Sequence, residues 1–174
     1  MENRANVVPL FSEQERTEHL AHTFAEGKSF DYSKITDEIY LGTNMCCQIG
    51  YAQELLGVGV KADISVEGER VDEPFGVDYF LWLPVTDKYP PSQSQLEVGT
   101  RTIAYFVSNH TPLYVHCKNG HGRAPTLVAA YFISTGRSVE DALSSIKEKR
   151  PVIHLTPQQE EALKIFADTN NAHR

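Results

Sequence analysis

The sequence predicts an α/β domain with a central, mostly parallel sheet of about four to five strands flanked by helices. Three observations carry that prediction. Short apolar runs alternate with helix-patterned stretches, as when strands are joined through crossover helices. Val77 to Val85 (Val-Asp-Tyr-Phe-Leu-Trp-Leu-Pro-Val) is mostly apolar, as expected of a strand covered on both faces. Pro112 to His116 is another apolar run, and it leads through a glycine-containing loop into a strongly apolar helix opening at Arg123.

The elements follow in order. Residues 1–30 read as an N-terminal arm and helix, and residues 31–174 as one domain. Ser12-Glu13-Gln14-Glu15 is a capping box, S-x-x-E, opening a helix to about Glu26, with Gly27 as its stop. Ile35 to Gly42 is a strand or a pair of short strands, Gly50 to Gly57 a short helix, and Val60 to Val66 a strand followed by the charged turn Glu67-Gly68-Glu69-Arg70. After the Val77–Val85 strand come a loop with Pro90-Pro91 and a helix from Ser94 to Ser108. Arg123 to Thr135 is a helix ended by Gly136, and Ser138 opens another that stops before Pro151. Thr156-Pro157-Gln158-Gln159 combines an N-cap, a proline at the first helical position and a glutamine at the third, and starts a final helix to about Asp168.

Composition narrows the function classes. The chain has 174 residues, 41% hydrophobic and 22% charged, which suits one domain with a real core. Its net charge of −7 argues against non-specific nucleic-acid binding or a polybasic membrane contact. No apolar run approaches the roughly 18 residues of a membrane span, and no signal-peptide core or lipidation motif is evident. Three cysteines do not make a disulfide framework, and neither Cys46 nor Cys47 stands at zinc-ligand spacing from another Cys or His. The expected compartment is a reducing cytoplasm.

The chemistry concentrates in His116-Cys117-Lys118-Asn119-Gly120-His121-Gly122-Arg123, an H-C-x-x-G-x-x-R loop between strand and helix. A loop closing onto a helix N-terminus turns backbone N–H groups inward, and the helix dipole reinforces the resulting anion cradle. Gly120 and Gly122 suit its tight backbone. Arg123 can lay a planar, two-pronged donor on a phosphate. Cys117 sits at the base, where the same groups favour its nucleophilic thiolate. The loop lacks the G-K-[ST] ending of a Walker motif. A phosphate ester also needs its leaving oxygen protonated. Leu83-Pro84-Val85-Thr86-Asp87 places Asp87 where a strand gives way to a loop, at the sheet edge where ligands of such folds bind. Asp63, inside a strand, and Asp78, near the start of one, are worse placed.

From Ile35 to Phe166 the sequence resembles the small dual-specificity branch of the protein tyrosine phosphatase superfamily. Ile39-Tyr40-Leu41-Gly42 is similar to that family's opening strand, Leu83 to Asp87 to its general-acid segment, and His116 to Arg123 to its signature loop. Arg150-Pro151 and the Gln158-Gln159 helix resemble its closing segment. The resemblance implies a phosphatase working through a phosphocysteine. Cys117 is then the nucleophile, Arg123 holds the equatorial oxygens and Asp87 is general acid and then general base. His116, Lys118, Asn119, Gly120, His121 and Gly122 make up the phosphate-binding loop, with His116 organising it. No metal and no cofactor are implied.

The family usually carries Ser or Thr after the arginine, where its hydroxyl helps the thiolate leave. Here that residue is Ala124, in an Arg-Ala-Pro run similar to that of the phosphatases of regenerating liver, so slow breakdown of the intermediate is expected. Thr126 is either a substitute hydroxyl or an ordinary first-turn threonine.

Lys118 and His121 place basic groups on the loop, and Lys88 and Tyr89 could line the pocket beside Asp87. The expected substrate is a phosphorylated protein (Tyr and Ser/Thr), the alternative a phosphoinositide or another small polyanionic phosphate ester. Two other classes compete: a non-catalytic phosphate-binding pseudophosphatase, which would typically lose Cys117 or Arg123, and a rhodanese-type sulfurtransferase, which the spacing to Arg123 disfavours. Cys46 and Cys47 are also candidate redox partners for Cys117.

Overall fold

The computed structural model describes residues 31–47 and 52–172. The sequence-predicted helix over 12–26 lies outside the described residues. Five strands form one sheet in the order β1-β2-β5-β3-β4: β1 Tyr32–Lys34, β2 Ile39–Thr43, β3 Ala62–Ser65, β4 Tyr79–Trp82 and β5 Leu113–Cys117. β1 is antiparallel to β2; the other neighbours are parallel. Of the segment Ile35–Gly42, expected as a strand or a pair of short strands, residues 35–38 form the turn of a hairpin and Ile39 onward its second arm. The register pairs Thr43 with Cys117, Ser65 with His116 and Ser65 with Trp82, so four strands end at one edge of the sheet.

Among the described residues a short 3₁₀ turn (Asn44–Cys47) and two helices lie between the strands, α1 Gln53–Gly57 and α2 Gln93–Ser108, and three helices follow β5: α3 Arg123–Ser134, α4 Val139–Lys149 and α5 Pro157–Ala172. The stop at Gly136 and the start at Ser138 are those the sequence predicts, whereas α2 begins at Gln93, one residue before the expected Ser94. Ser92 and Gln95 form a reciprocal capping box on α2. Ser138 accepts from the Asp141 amide at the start of α4. Gly136 takes a φ of 104° after α3, a backbone that side chains resist.

The two faces of β5 look into different surroundings, as the alternation of a strand requires. Leu113, Val115 and Cys117 join the main core, whose centre is α3, buried at every residue but Ser134. Tyr114 turns the other way, into a smaller cluster with Tyr40, Cys46, Cys47, Leu55 and Val60. His116 stacks on Tyr114 on that second face, with ring centroids 5.5 Å apart.

Two expectations are corrected. The apolar Val77–Val85 run is not covered on both faces: β4 is an edge strand, and Tyr79, Phe80 and Trp82 are 53%, 39% and 38% exposed. Trp82 keeps its indole N–H bonded to the Glu67 carbonyl at 2.7 Å, the amphipathic use of tryptophan at an edge. The second correction concerns the cysteines. Cys46 and Cys47 are joined by a disulfide, and Cys117 is free. Both members of the pair are buried in the second cluster while Cys117 belongs to the main core, so the sheet separates them.

Candidate active site

The loop from His116 to Arg123 joins the central strand to the buried helix and is braced from below. Gly120 has a φ of 65°, and a Cβ there would stand 2.5 Å from the Gly42 carbonyl oxygen, so only glycine fits. The fully buried Arg150 donates from Nε to the Gly120 carbonyl at 3.0 Å. Its two terminal nitrogens form a two-pronged pair with Asp31 at 2.8 and 2.7 Å. That pair holds the Asp31 carboxyl below the usual carboxylate range, against the opposing effect of burial. No side chain caps the N-terminus of α3, so its first-turn amides remain available to an anion.

Cys117 is 3% exposed at the bottom of a cleft of about 140 Å³. Arg123, with a side chain 2% exposed, reaches into the same cleft. Its Nη1 donates to Glu69 at 2.7 Å and to the Val85 carbonyl at 2.8 Å, and its Nη2 lies 3.2 Å from Asp87. Desolvation of the guanidinium is outweighed by Glu69, Cys117 and Asp87, so its charge is held firmly. Burial would push the Glu69 carboxyl up, but the Arg123 hydrogen bond and local amides bring it below its usual range. Asp87, 56% exposed, sits at the mouth.

The cleft thus brings together Cys117, Arg123, Asp87, Asn119, His121 and Gly122 of the expected set. Gly120 is buried within the loop, its carbonyl held by Arg150. Lys118 is exposed and does not line the cleft; its carbonyl accepts from the Asn44 amide at 3.4 Å. The basic rim is made instead by Lys88, His121 and His154, the two imidazoles 5.1 Å apart. Burial, His154 and Arg150 push the His121 imidazole below the ordinary histidine range, which favours its neutral form. Tyr89 is not among the lining residues; its carbonyl accepts from Gln159, which does line the cleft. Thr126 donates its hydroxyl to the Gly122 carbonyl at 2.8 Å and is an ordinary first-turn threonine.

His116 points away from the cleft into a polar pocket behind it. Its Nε2 is 3.3 Å from Asp63 and 3.8 Å from Asp72, both buried. Burial opposes its protonation, but Asp63, Asp72 and Glu67 outweigh burial and raise it above the ordinary value. Its Nδ1 has no hydrogen-bond partner among the described residues. Asp72 also accepts from Ser65 at 2.8 Å and from Arg70 at 2.7 Å, and Glu67 accepts from Asn44 at 2.7 Å. Sequence reasoning missed Glu69 and His154 altogether. A charged turn and a lone histidine in a Pro-flanked loop carry no local mark of where the fold delivers them.

A parallel sheet with a free cysteine and an arginine on one strand-to-helix loop defines a small dual-specificity-type domain of the protein tyrosine phosphatase superfamily. Residues 43–137 match the family described as "Polymorphic toxin system, DSP-PTPase phosphatase", and the chain belongs to that family. It is 38% identical over 77 residues to the human "Phosphatidylglycerophosphatase and protein-tyrosine phosphatase 1", covering 44% of this chain and 38% of that one. It is 26% identical to "Tyrosine-protein phosphatase yvh1" of Schizosaccharomyces pombe over 98% of this chain and 56% of that one. The match therefore spans between 38% and 56% of these curated relatives. A solved structure described as "Crystal Structure of PTPMT1 in complex with PI(5)P" superimposes with a TM-score of 0.71 at 28% identity, covering 82% of this chain and 97% of the other.

Proposed function

We propose that this chain hydrolyses phosphate monoesters through a phosphocysteine, acting as a dual-specificity protein phosphatase on Tyr and Ser/Thr. The observation that carries the reading is the convergence of Cys117, Arg123 and Asp87 on one cleft. The phosphate enters against the loop amides and draws Arg123 onto its equatorial oxygens. Cys117 sulfur attacks phosphorus as the ester P–O bond breaks, and Asp87 gives its proton to the departing oxygen. Water then attacks the phosphocysteine, the S–P bond breaks, and Asp87 takes the proton from the water. In the resting site Asp87 leans on Arg123; its exposure on a loop lets it turn to the leaving group once phosphate engages the guanidinium.

Turnover of an aryl phosphate and of phosphopeptides by wild type, Cys117→Ser and Asp87→Ala tests this. Cys117→Ser abolishes turnover, and Asp87→Ala lowers kcat by about 10²–10⁴-fold. Phosphate binding without turnover in the wild type would instead establish a non-catalytic module.

A second reading, a phosphatase of phosphoinositides or other polyanionic esters, is supported by Lys88, His121 and His154 on the rim and by the PI(5)P complex of the similar fold. His121 is pushed below the ordinary histidine value, so it gains charge only as pH falls below that value. Under this reading a His121→Ala variant matches wild type on a singly phosphorylated peptide. Its KM for a doubly phosphorylated lipid headgroup falls less than that of wild type as pH is lowered. Equal KM changes for wild type and variant would remove His121 from substrate recognition.

A further inference from the structure

On the second face of the sheet, away from the cleft, four ligand-bearing side chains converge. Cys46 and Cys47 come from the 3₁₀ turn after β2, Asp63 from β3 and His116 from β5. The cysteine pair, Asp63 and His116 come from three separate segments, so no spacing motif announces the set. Their ligand atoms all lie within 4.8 Å of one another, and all four residues are buried.

The distances, those of long hydrogen bonds, are also those between the ligands of one metal ion. Cys47 Sγ is 3.6 Å from His116 Nε2 and 3.8 Å from Asp63 Oδ2, and those nitrogen and oxygen atoms are 3.3 Å apart. The last is long for a nitrogen–oxygen hydrogen bond, whose usual length is about 2.9 Å. A tetrahedral zinc ion, with bonds of about 2.3 Å to sulfur and about 2.0–2.1 Å to nitrogen and oxygen, spaces its ligand atoms about 3.3–3.8 Å apart. Cys47, Asp63 and His116 therefore already form one face of such a tetrahedron. Cys46 is placed to supply the fourth corner.

We propose that, in its dithiol form, the protein binds one thiophilic divalent cation, zinc by preference, through Cys46, Cys47, Asp63 and His116. The set of two thiolates, one imidazole and one carboxylate suits zinc and closes its coordination shell, so the site is structural. The ion would tie the 3₁₀ turn and β3 to the strand that presents Cys117. The structure holds the pair as a disulfide. A dithiol reductant supplies two electrons and two protons to give two thiols and is itself oxidised to a disulfide; the cation then displaces the two thiol protons and the proton that His116 Nε2 carries toward Asp63.

The test uses full-length protein, reduced with a dithiol, freed of it without oxygen and titrated with Co²⁺. The expected result is one ion per chain, with a thiolate-to-cobalt charge-transfer band and the intense visible bands of tetrahedral cobalt. Zinc displaces the cobalt and raises Tm of the reduced protein but not of the disulfide form. Cys117→Ser keeps the bands, Cys46→Ser with Cys47→Ser loses them, and Asp63→Asn weakens binding. A reduced wild type without these bands overturns the proposal, whatever the variants do. So does a signal that Cys117→Ser removes, which would place the ion on the catalytic thiol. None of these readouts depends on phosphatase turnover, so a failed activity assay and a failed metal site remain separate results.

Discussion

Ala124 is fully buried directly after Arg123, and under the proposed mechanism it offers no hydroxyl to a departing thiolate. Thr126 cannot replace one, because its hydroxyl is bonded to Gly122. Ala124→Ser should therefore speed phosphoenzyme hydrolysis about tenfold or more, the worth of one well-placed donor to a developing anion. Rapid-quench kinetics would show kcat rising and the trapped intermediate shrinking while the attack step is nearly unchanged. Glu69 makes a different contribution. Its 2.7 Å bond fixes one nitrogen of Arg123 and with it the plane of the guanidinium. Glu69→Gln should lower kcat/KM about tenfold, and Glu69→Asp should restore part of that, as expected of a positioning residue. The meeting of Cys117, Arg123 and Asp87 in one cleft could be read from the sequence because the first two share the short loop after β5 and Asp87 follows β4 at the same edge of the sheet. The place of Glu69 could not, since only the closed fold brings its turn over the cleft.

The helices obeyed their sequence signals more closely than the strands did. Ser92, Ser138 and Thr156 each accept from the amide three residues on, because a cap is a local interaction. The burial of β4 was misjudged for the opposite reason. An apolar run says that a strand forms, whereas its place at the sheet edge depends on the order of all the strands. Two glycines separate local from tertiary effects in the same way. A Cβ on Gly99 in α2 would stand 2.5 Å from a Leu127 methyl and 3.1 Å from a Leu83 methyl. Gly99→Ala should cost about 1–3 kcal/mol through overpacking, despite its better helix propensity. Nothing lies within 4 Å of a Cβ on Gly57, at the end of α1, so Gly57→Ala should be neutral or stabilising by about 0.4–1 kcal/mol. Urea unfolding of the two variants beside wild type checks both signs.

At the scale of the molecule, Arg150 and its ion pair with Asp31 connect the residue before β1, the loop of Cys117 and the end of α4. Asp31 is held below its ordinary carboxylate value by Arg150. Its stabilising contribution is therefore full above the unfolded value of 3.8 and is lost as pH falls through the lower folded value. The Asp31 side chain is 52% exposed, so screening limits that contribution to about 1 kcal/mol. Melting temperatures of wild type and Asp31→Asn should differ at neutral pH and converge in acid. Arg150→Ala removes a fully buried cation and the support of Gly120, and should cost on the order of 3 kcal/mol.

The same contact bears on how the protein comes into being. Arg150 and Asp31 are 119 positions apart, and Arg150 braces Gly120 from 30 positions downstream. A nascent chain can expose Cys117 and Arg123 outside the ribosome while Arg150 is still in the exit tunnel. At that stage the loop has its cysteine and arginine but lacks its brace. The supported form of the loop is thus a late product of synthesis, reached only after the end of α4 has emerged.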